Sequence, residues 1–256
     1  MVRTFEKRRE PAKAGSIPEA LDMFRAEVRF YREIAPVVGV RVPVCIEAED
    51  TSEGTRLLLE DLSSWTPGAD PVPMARELAA LHRRWEGHAL DRWPWLRGKG
   101  AAADLISSLF EEVWPRLRSR SDLTPEAASL GTRAIGGVED LEAAGAAAQP
   151  CTLCHGDASF NNVFTGPGGE IAFTDWEDVG WAPGVTDLAW LLVSSVPPGR
   201  WDEVIRAYGP ARGLNLELPA AGMQGLLTLG DLPEGGVEAR GWVERLTEAA
   251  RRLMAG

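Results

Sequence analysis

The sequence predicts an α+β protein in two unequal parts: a small antiparallel sheet with one helix over residues 1–62, then a larger, mainly helical part over residues 63–256. Three observations predict this. Short alternating segments (VRTFEK, VRVPVCIEAE, TRLLLEDL) crowd the first sixty residues. One stretch among them has helical period, with Ile17, Leu21, Phe24, Val28, Tyr31 and Ile34 on a common face. Beyond Ser63 the chain turns rich in Ala, Trp and Arg, and its apolar residues recur at helical spacing.

Taken in order, VRTFEK reads as a strand with Lys7 at its end. The helix over residues 17–35 opens on a Ser16 to Glu19 capping pattern. Glu27 falls on its apolar face between Phe24 and Tyr31, where a carboxylate requires either a cation or a place at the watery rim. Lysine offers only Lys7, Lys13 and Lys99 as that cation. Next, VRVPVCIEAE and TRLLLEDL form two strands around the polar EDTSEG turn. Helices follow over PMARELAALHRRWEG and AAADLISSLFEEVWPRL, and a third with a Gly-Gly weakness over TPEAASLGTRAIGGVEDLEAAGAA. The GPGG turn joins two later strands, and helices starting near Trp201, Leu216 and Val237 are expected to build a substrate wall.

The chemistry concentrates in HGDASFNNVFTGPGGEIAFTDWE, residues 155–177. Moving a phosphoryl group builds negative charge on oxygens that water alone stabilises poorly. Magnesium meets that need with one or two carboxylate or carboxamide ligands, because it keeps several waters. Asn162 and Asp175 are of the right type. A separate carboxylate must orient the incoming hydroxyl in line with the leaving oxygen, a positioning task of modest basicity. Asp157 is the candidate; a loop, two strands and a tight turn separate it from Asp175, so both can line one cleft. Trp176 and Trp181 flank the acidic groups and are candidates to stack on a substrate.

Other readings are excluded. Cys151 to His155 spell C-x-x-C-H, the haem-attachment pattern, but the charged start MVRTFEKRREPAK lacks an apolar export segment. Zinc requires more Cys or His than one further cysteine and two distant histidines supply. Both cysteines are therefore expected as small strand residues, and His82 and His88 as packing and surface residues. The formal net charge of −11 argues against nucleic acid and favours cationic small molecules. No stretch of eighteen apolar residues exists, and three cysteines fit a reducing, cytoplasmic setting.

With HGD, four residues, then Asn, followed by FTDWED and GVTDLAWLL, the chain resembles the aminoglycoside phosphotransferase and choline kinase group of the protein-kinase-like superfamily. AEVRFYREIAP and WEGHALDRWPWL resemble its ecdysteroid-kinase-like branch. The resemblance implies a bilobal protein-kinase-like fold and transfer of the γ-phosphoryl group of ATP, with Mg2+, to a hydroxyl of a small molecule such as an aminoglycoside-like natural product. It implies Asp157 as catalytic aspartate with His155 positioning its loop, Asn162 and Asp175 as metal ligands, and Asp187 as a brace of the catalytic loop. Of Glu177 and Asp178, one is expected to face the metal or the substrate and the other to cap the next loop, both ranking below Asp175. Lys7 pairs with Glu27 at the phosphates, with Lys13 as the fallback, and the backbone of Glu60, Asp61 and Leu62 holds the adenine edge. The family's glycine-bearing hairpin has only six residues available before Lys7, none of them glycine. That leaves three expectations: a late start, an exposed and weakly held nucleotide, or a protein partner that completes the lobe. The alternatives are a kinase for Ser or Thr of a peptide and a non-catalytic pseudokinase module.

Overall fold

The computed structural model describes residues 3–255. β1 (Thr4–Arg9) lies antiparallel to a later strand, with Lys7 opposite Leu57. α1 (Ile17–Ala20) is capped by Ser16, whose side chain accepts from the Glu19 amide. The single helix expected over residues 17–35 is broken: Asp22 takes the left-handed φ of 46°, and the chain restarts as α2 (Met23–Arg29). It then widens into a π turn at Phe30–Ile34, closed by Ala35 N–H donating to Phe30 O at 2.9 Å. The wider turn rephases the helix, so that Phe30, Tyr31 and Ile34 are all buried.

β2 (Cys45–Thr51) and β3 (Gly54–Glu60) form the expected hairpin and give a sheet ordered β1-β3-β2. β4 (Thr66–Pro67) leads to α3 (Pro71–Trp85), capped by Asp70, and α4 (Ala89–Arg92) precedes β5 (Arg97–Gly98). α5 (Ala103–Arg118) matches its sequence signal. The helix expected over residues 124–147 is two, α6 (Pro125–Ala134) and α7 (Val138–Ala146), because Gly136 turns left-handed at φ 67°.

β6 (Cys151–Cys154), the cysteine strand, and the hairpin β7 (Val163–Thr165) with β8 (Ile171–Phe173) flank the motif-bearing loop. β9 (Gly180–Pro183) pairs with β6 antiparallel and with β5 in parallel. Four helices close the chain: α8 (Val185–Ser195), α9 (Trp201–Tyr208), α10 (Leu214–Gly230) and α11 (Val237–Ala255). α10 is the central post of the helical part, packed against α6, α7, α8 and α11. Among the described residues no helix is long and apolar enough to cross a membrane.

Two contacts lock the small sheet part to the helical part. Phe30 stacks on Trp176 with ring centroids 4.1 Å apart and planes within 7°, a pairing that contributes about 1 kcal/mol beyond burial. Phe173 N–H donates to Arg41 O at 2.9 Å, carrying β8 onto the linker after the π turn. The crevice between the parts is where the acidic residues gather.

Candidate functional site

The loop from His155 to Asn162 leaves β6 with its backbone held by one carboxylate. Asp187, fully buried at the first turn of α8, accepts from His155 N–H at 2.8 Å and Gly156 N–H at 2.9 Å. His82 of α3 adds its Nε2 at 3.0 Å, and its Nδ1 meets Tyr208 Oη of α9 at 2.8 Å. Burial opposes the Asp187 charge, but these bonds outweigh it and hold its pKa below the ordinary value. Gly156 has φ 89°, and a Cβ there would lie 2.2 Å from Asp178 O, so the middle residue of HGD must be glycine.

His155 is sealed from solvent. Its Nδ1 accepts from Asp157 N–H at 3.2 Å, which leaves Nε2–H to donate to Thr174 O at 2.9 Å. Both ring nitrogens are thus spent on backbone, and His155 is a strut between the loop and β8. Asp157, half-buried, is held from two sides. Asn162 Nδ2 donates to its Oδ2 at 2.7 Å, and Trp190 Nε1 of α8 donates to its Oδ1.

Asp175 follows β8 at φ 60°, a left-handed position uncommon for a side chain with a Cβ. Its Oδ1 lies 2.5 Å from Lys7 Nζ, which also stands 2.7 Å from Glu27 Oε2 and 3.7 Å from Glu177 Oε2. Arg9 reaches Glu177 at 2.9 Å. Oxygens of Glu27, Asp175 and Glu177 fall within 4.8 Å of one another. Burial pushes Glu27 up to about 7 against the pull of Lys7. Burial also works against the Lys7 charge, but Glu27 and Asp175 prevail and raise its pKa.

Asn162 and Asp175 line one cavity of about 690 Å3, together with Lys7, Tyr31 and the segment Glu60–Leu62. Hard oxygen donors beside a cation, and a buried Tyr31 Oη without a protein partner, fit a magnesium-bound polyphosphate. The hinge expectation needs correction at two amides. Glu60 N–H is bonded to Val44 O at 2.8 Å and Asp61 N–H to Arg3 O at 2.9 Å, so neither is available to a base. The Glu60 carboxylate binds Arg41 at 2.6 Å. Lys13 is absent from these contacts.

Asp157 lines a different cavity, of about 340 Å3, together with Gly156 of its loop. Trp181 stands on that wall, whereas Trp176 is fully buried in its stack with Phe30 and cannot reach a substrate. Of the three helices expected to form the wall, α10 alone does so, through Gln224, Leu227 and Thr228; α9 packs instead on α3. Asp178 reaches this cavity, and burial, countered by Arg97, pushes its pKa up to about 6. Arg97 ties β5 to this segment by donating to Glu177 O at 2.8 Å.

Sequence reasoning missed Trp190, Arg97 and the bracing role of His82. His82 carried a signal: it follows Leu78 by four residues on the buried face of α3. Trp190 carried one too, three residues after Asp187 in an apolar helix, but nothing local tied it to Asp157.

The phosphotransferase enzyme family, APH, matches residues 8–223. Among solved structures, the chain is similar to an aminoglycoside phosphotransferase of Streptomyces rimosus in complex with ADP and streptomycin, at 20% identity and TM-score 0.58, covering 87% of this chain and 86% of that one. It is similar to an aminoglycoside phosphotransferase of Alicyclobacillus acidocaldarius at 16% identity and TM-score 0.60, covering 99% and 85%. A choline kinase of Streptococcus pneumoniae has 18% identity and TM-score 0.58, covering 100% and 87%. At these identities the structures establish the shared kinase-like α+β fold. No curated protein sequence matches the chain.

Proposed function

The chain belongs to the phosphotransferase enzyme family, and we propose that it transfers the γ-phosphoryl group of ATP, with magnesium, to a hydroxyl of a small molecule. The observation that carries this reading is the position of Asp157. It borders the smaller cavity and is hydrogen-bonded to Asn162, which borders the larger one. A hydrogen-bonded carboxylate–carboxamide pair therefore links a charged chamber to a second chamber that can present an alcohol.

Asp157 accepts the hydroxyl proton as the acceptor oxygen bonds to phosphorus and the bond to the β-phosphate oxygen breaks, leaving ADP. Trp190 and Asn162 fix its carboxylate so that this proton has one destination. Lys7, gripped by Glu27, places a positive charge at the phosphates, and Asp175 with Asn162 would hold the metal. A magnesium ion held there would supply positive charge against that of the phosphate oxygens. ATP dependence and reduced cysteines are consistent with a cytoplasmic enzyme.

The test is ADP release from ATP and magnesium with a panel of hydroxyl compounds, read beside the Asp157→Asn variant. Turnover should fall about 10²- to 10⁴-fold in that variant while circular dichroism shows it folded, with some stability lost where the new NH2 meets the Asn162 or Trp190 donor. Equal rates in the two proteins would refute the assignment.

A further inference from the structure

We infer that the acceptor is a compact hydroxyl compound with an apolar, ring-bearing body, in place of a polycationic amino sugar; the inference rests on the phosphotransfer reading above. The cavity at Asp157, about 340 Å3, lies at the small end of the range for ligand sites, about 300–1,000 Å3. Its lining includes an apolar set, Leu21 after α1, Ile106 of α5, Trp181 of β9, Trp190 of α8 and Leu227 of α10. The Trp190 indole reaches the reacting carboxylate itself, so an acceptor hydroxyl aimed at Asp157 lays its carbon body against aromatic surface.

The charges on that wall, Asp157 apart, are already engaged with one another. Lys99 Nζ sits 3.2 Å from Glu142 Oε2 and 2.8 Å from Glu217 Oε2, with all three side chains at most 8% exposed. Asp178 is countered by Arg97. Counting lining groups gives two cations, Arg97 and Lys99, against three anions, Glu142, Asp157 and Asp178; Asp157 is the one with no cation beside it, and Glu217, outside the lining, shares Lys99. Several ammonium groups entering here would lose their water and find a single free carboxylate, which opposes their binding. Polar recognition is confined to a few hydrogen-bonding groups. Thr186 Oγ1 is buried without a partner, and Gln224 and Thr228 stand nearby on α10. A body with one or two further oxygens satisfies them.

The experiment measures kcat/KM of the full chain with ATP and magnesium for 2-phenylethanol and 4-cyclohexylbutanol against streptomycin and kanamycin. The cyclic alcohols should be favoured at least tenfold. Trp181→Ala should raise their KM about tenfold with a smaller change in kcat, while Trp181→Phe stays within threefold of the parent. Asp157-dependent hydrolysis of ATP in water and calorimetric binding of magnesium–ADP, both without acceptor, test the underlying reading separately. If those survive but the amino sugars are preferred, the inference alone is overturned. The same holds if the alcohols neither react nor bind by calorimetry, or if Trp181→Ala, folded by circular dichroism, leaves their KM unchanged.

Discussion

The two cavities reached from the Asp157–Asn162 pair share carbon-rich linings and differ in how their charges are arranged. On the side of β1 and Asp175, two cations and three carboxylates crowd together: Lys7, Arg9, Glu27, Asp175 and Glu177. There Lys7, a single ammonium, faces three carboxylates, and burial leaves Glu27 near neutrality. On the other side the charges are spread along the lining: Arg97 counters Asp178, and buried Lys99 is shared by Glu142 and Glu217, one carboxylate more than it can balance. The difference separates two tasks. On the proposed reading, a polyphosphate with its metal uses a dense set of hard groups, whereas the acceptor wall offers carbon surface and selects by shape.

The sharpest way to break this comparison is Asp175→Asn. If the β1 side is the metal and phosphate wall, magnesium-dependent turnover should fall about 10³-fold, since an electrostatic stabiliser of the transferring group is lost. Calorimetry should show magnesium–ADP binding weakened in parallel. A variant that keeps nucleotide binding and loses acceptor binding would invert the assignment of the two walls.

Lys99→Met probes the opposite wall and should read out as stability. The ammonium is buried, and Glu142 and Glu217 outweigh the cost of that burial to raise its pKa. Gly145 exists for this cluster: a Cβ there would stand 2.4 Å from Lys99 Cε and 2.8 Å from Glu217 Oε1. Removing the cation leaves two carboxylates facing each other in apolar surroundings, at a cost of about 3 kcal/mol in urea unfolding. Adding Glu142→Gln and Glu217→Leu should recover most of the loss. Loss of magnesium–ADP binding with unchanged stability would mean that the cluster belongs to the nucleotide side.

How far each wall was readable in the sequence follows from the same contrast. The charged wall announces itself, because Glu27 on an apolar helical face demands a cation and only three lysines exist. The spacing of Asp157, Asn162 and Asp175 is likewise local, fixed by one loop and one hairpin. The acceptor wall has no such signature. Leu21, Ile106, Trp181 and Leu227 look like core anywhere, and they converge through tertiary packing of α1, α5, β9 and α10. The break at Asp22 was hidden because the apolar period continues across it, and only the π turn shows how the helix recovers its phase. The split at Gly136 was signalled as a weakness; its left-handed φ makes it a break. The hinge amides were misjudged since the pairing of Asp61 with Arg3 is a sheet contact that side chains do not encode.

The smallest effect tests the support common to both walls. Asp187 serves neither chamber directly; it fixes the loop from which Asp157 stands between them. Asp187→Asn keeps the shape but replaces one acceptor oxygen with an NH2 that opposes a backbone N–H, a cost of about 2 kcal/mol. Its pH dependence has a definite sign. The folded pKa is depressed, so the stabilisation is present above the unfolded value near pH 4 and disappears as pH falls through the lower folded value. The gap between parent and variant should therefore be widest at pH 7 and narrow toward pH 3 in urea titrations. Glu27 and Asp178 act in reverse: their raised values, about 7 and about 6, mean that stability from them is greatest at low pH and declines as they ionise. A gap that widens on acidification would show that Asp187 is held protonated in the fold, and the loop would then be braced by a donor in place of an acceptor.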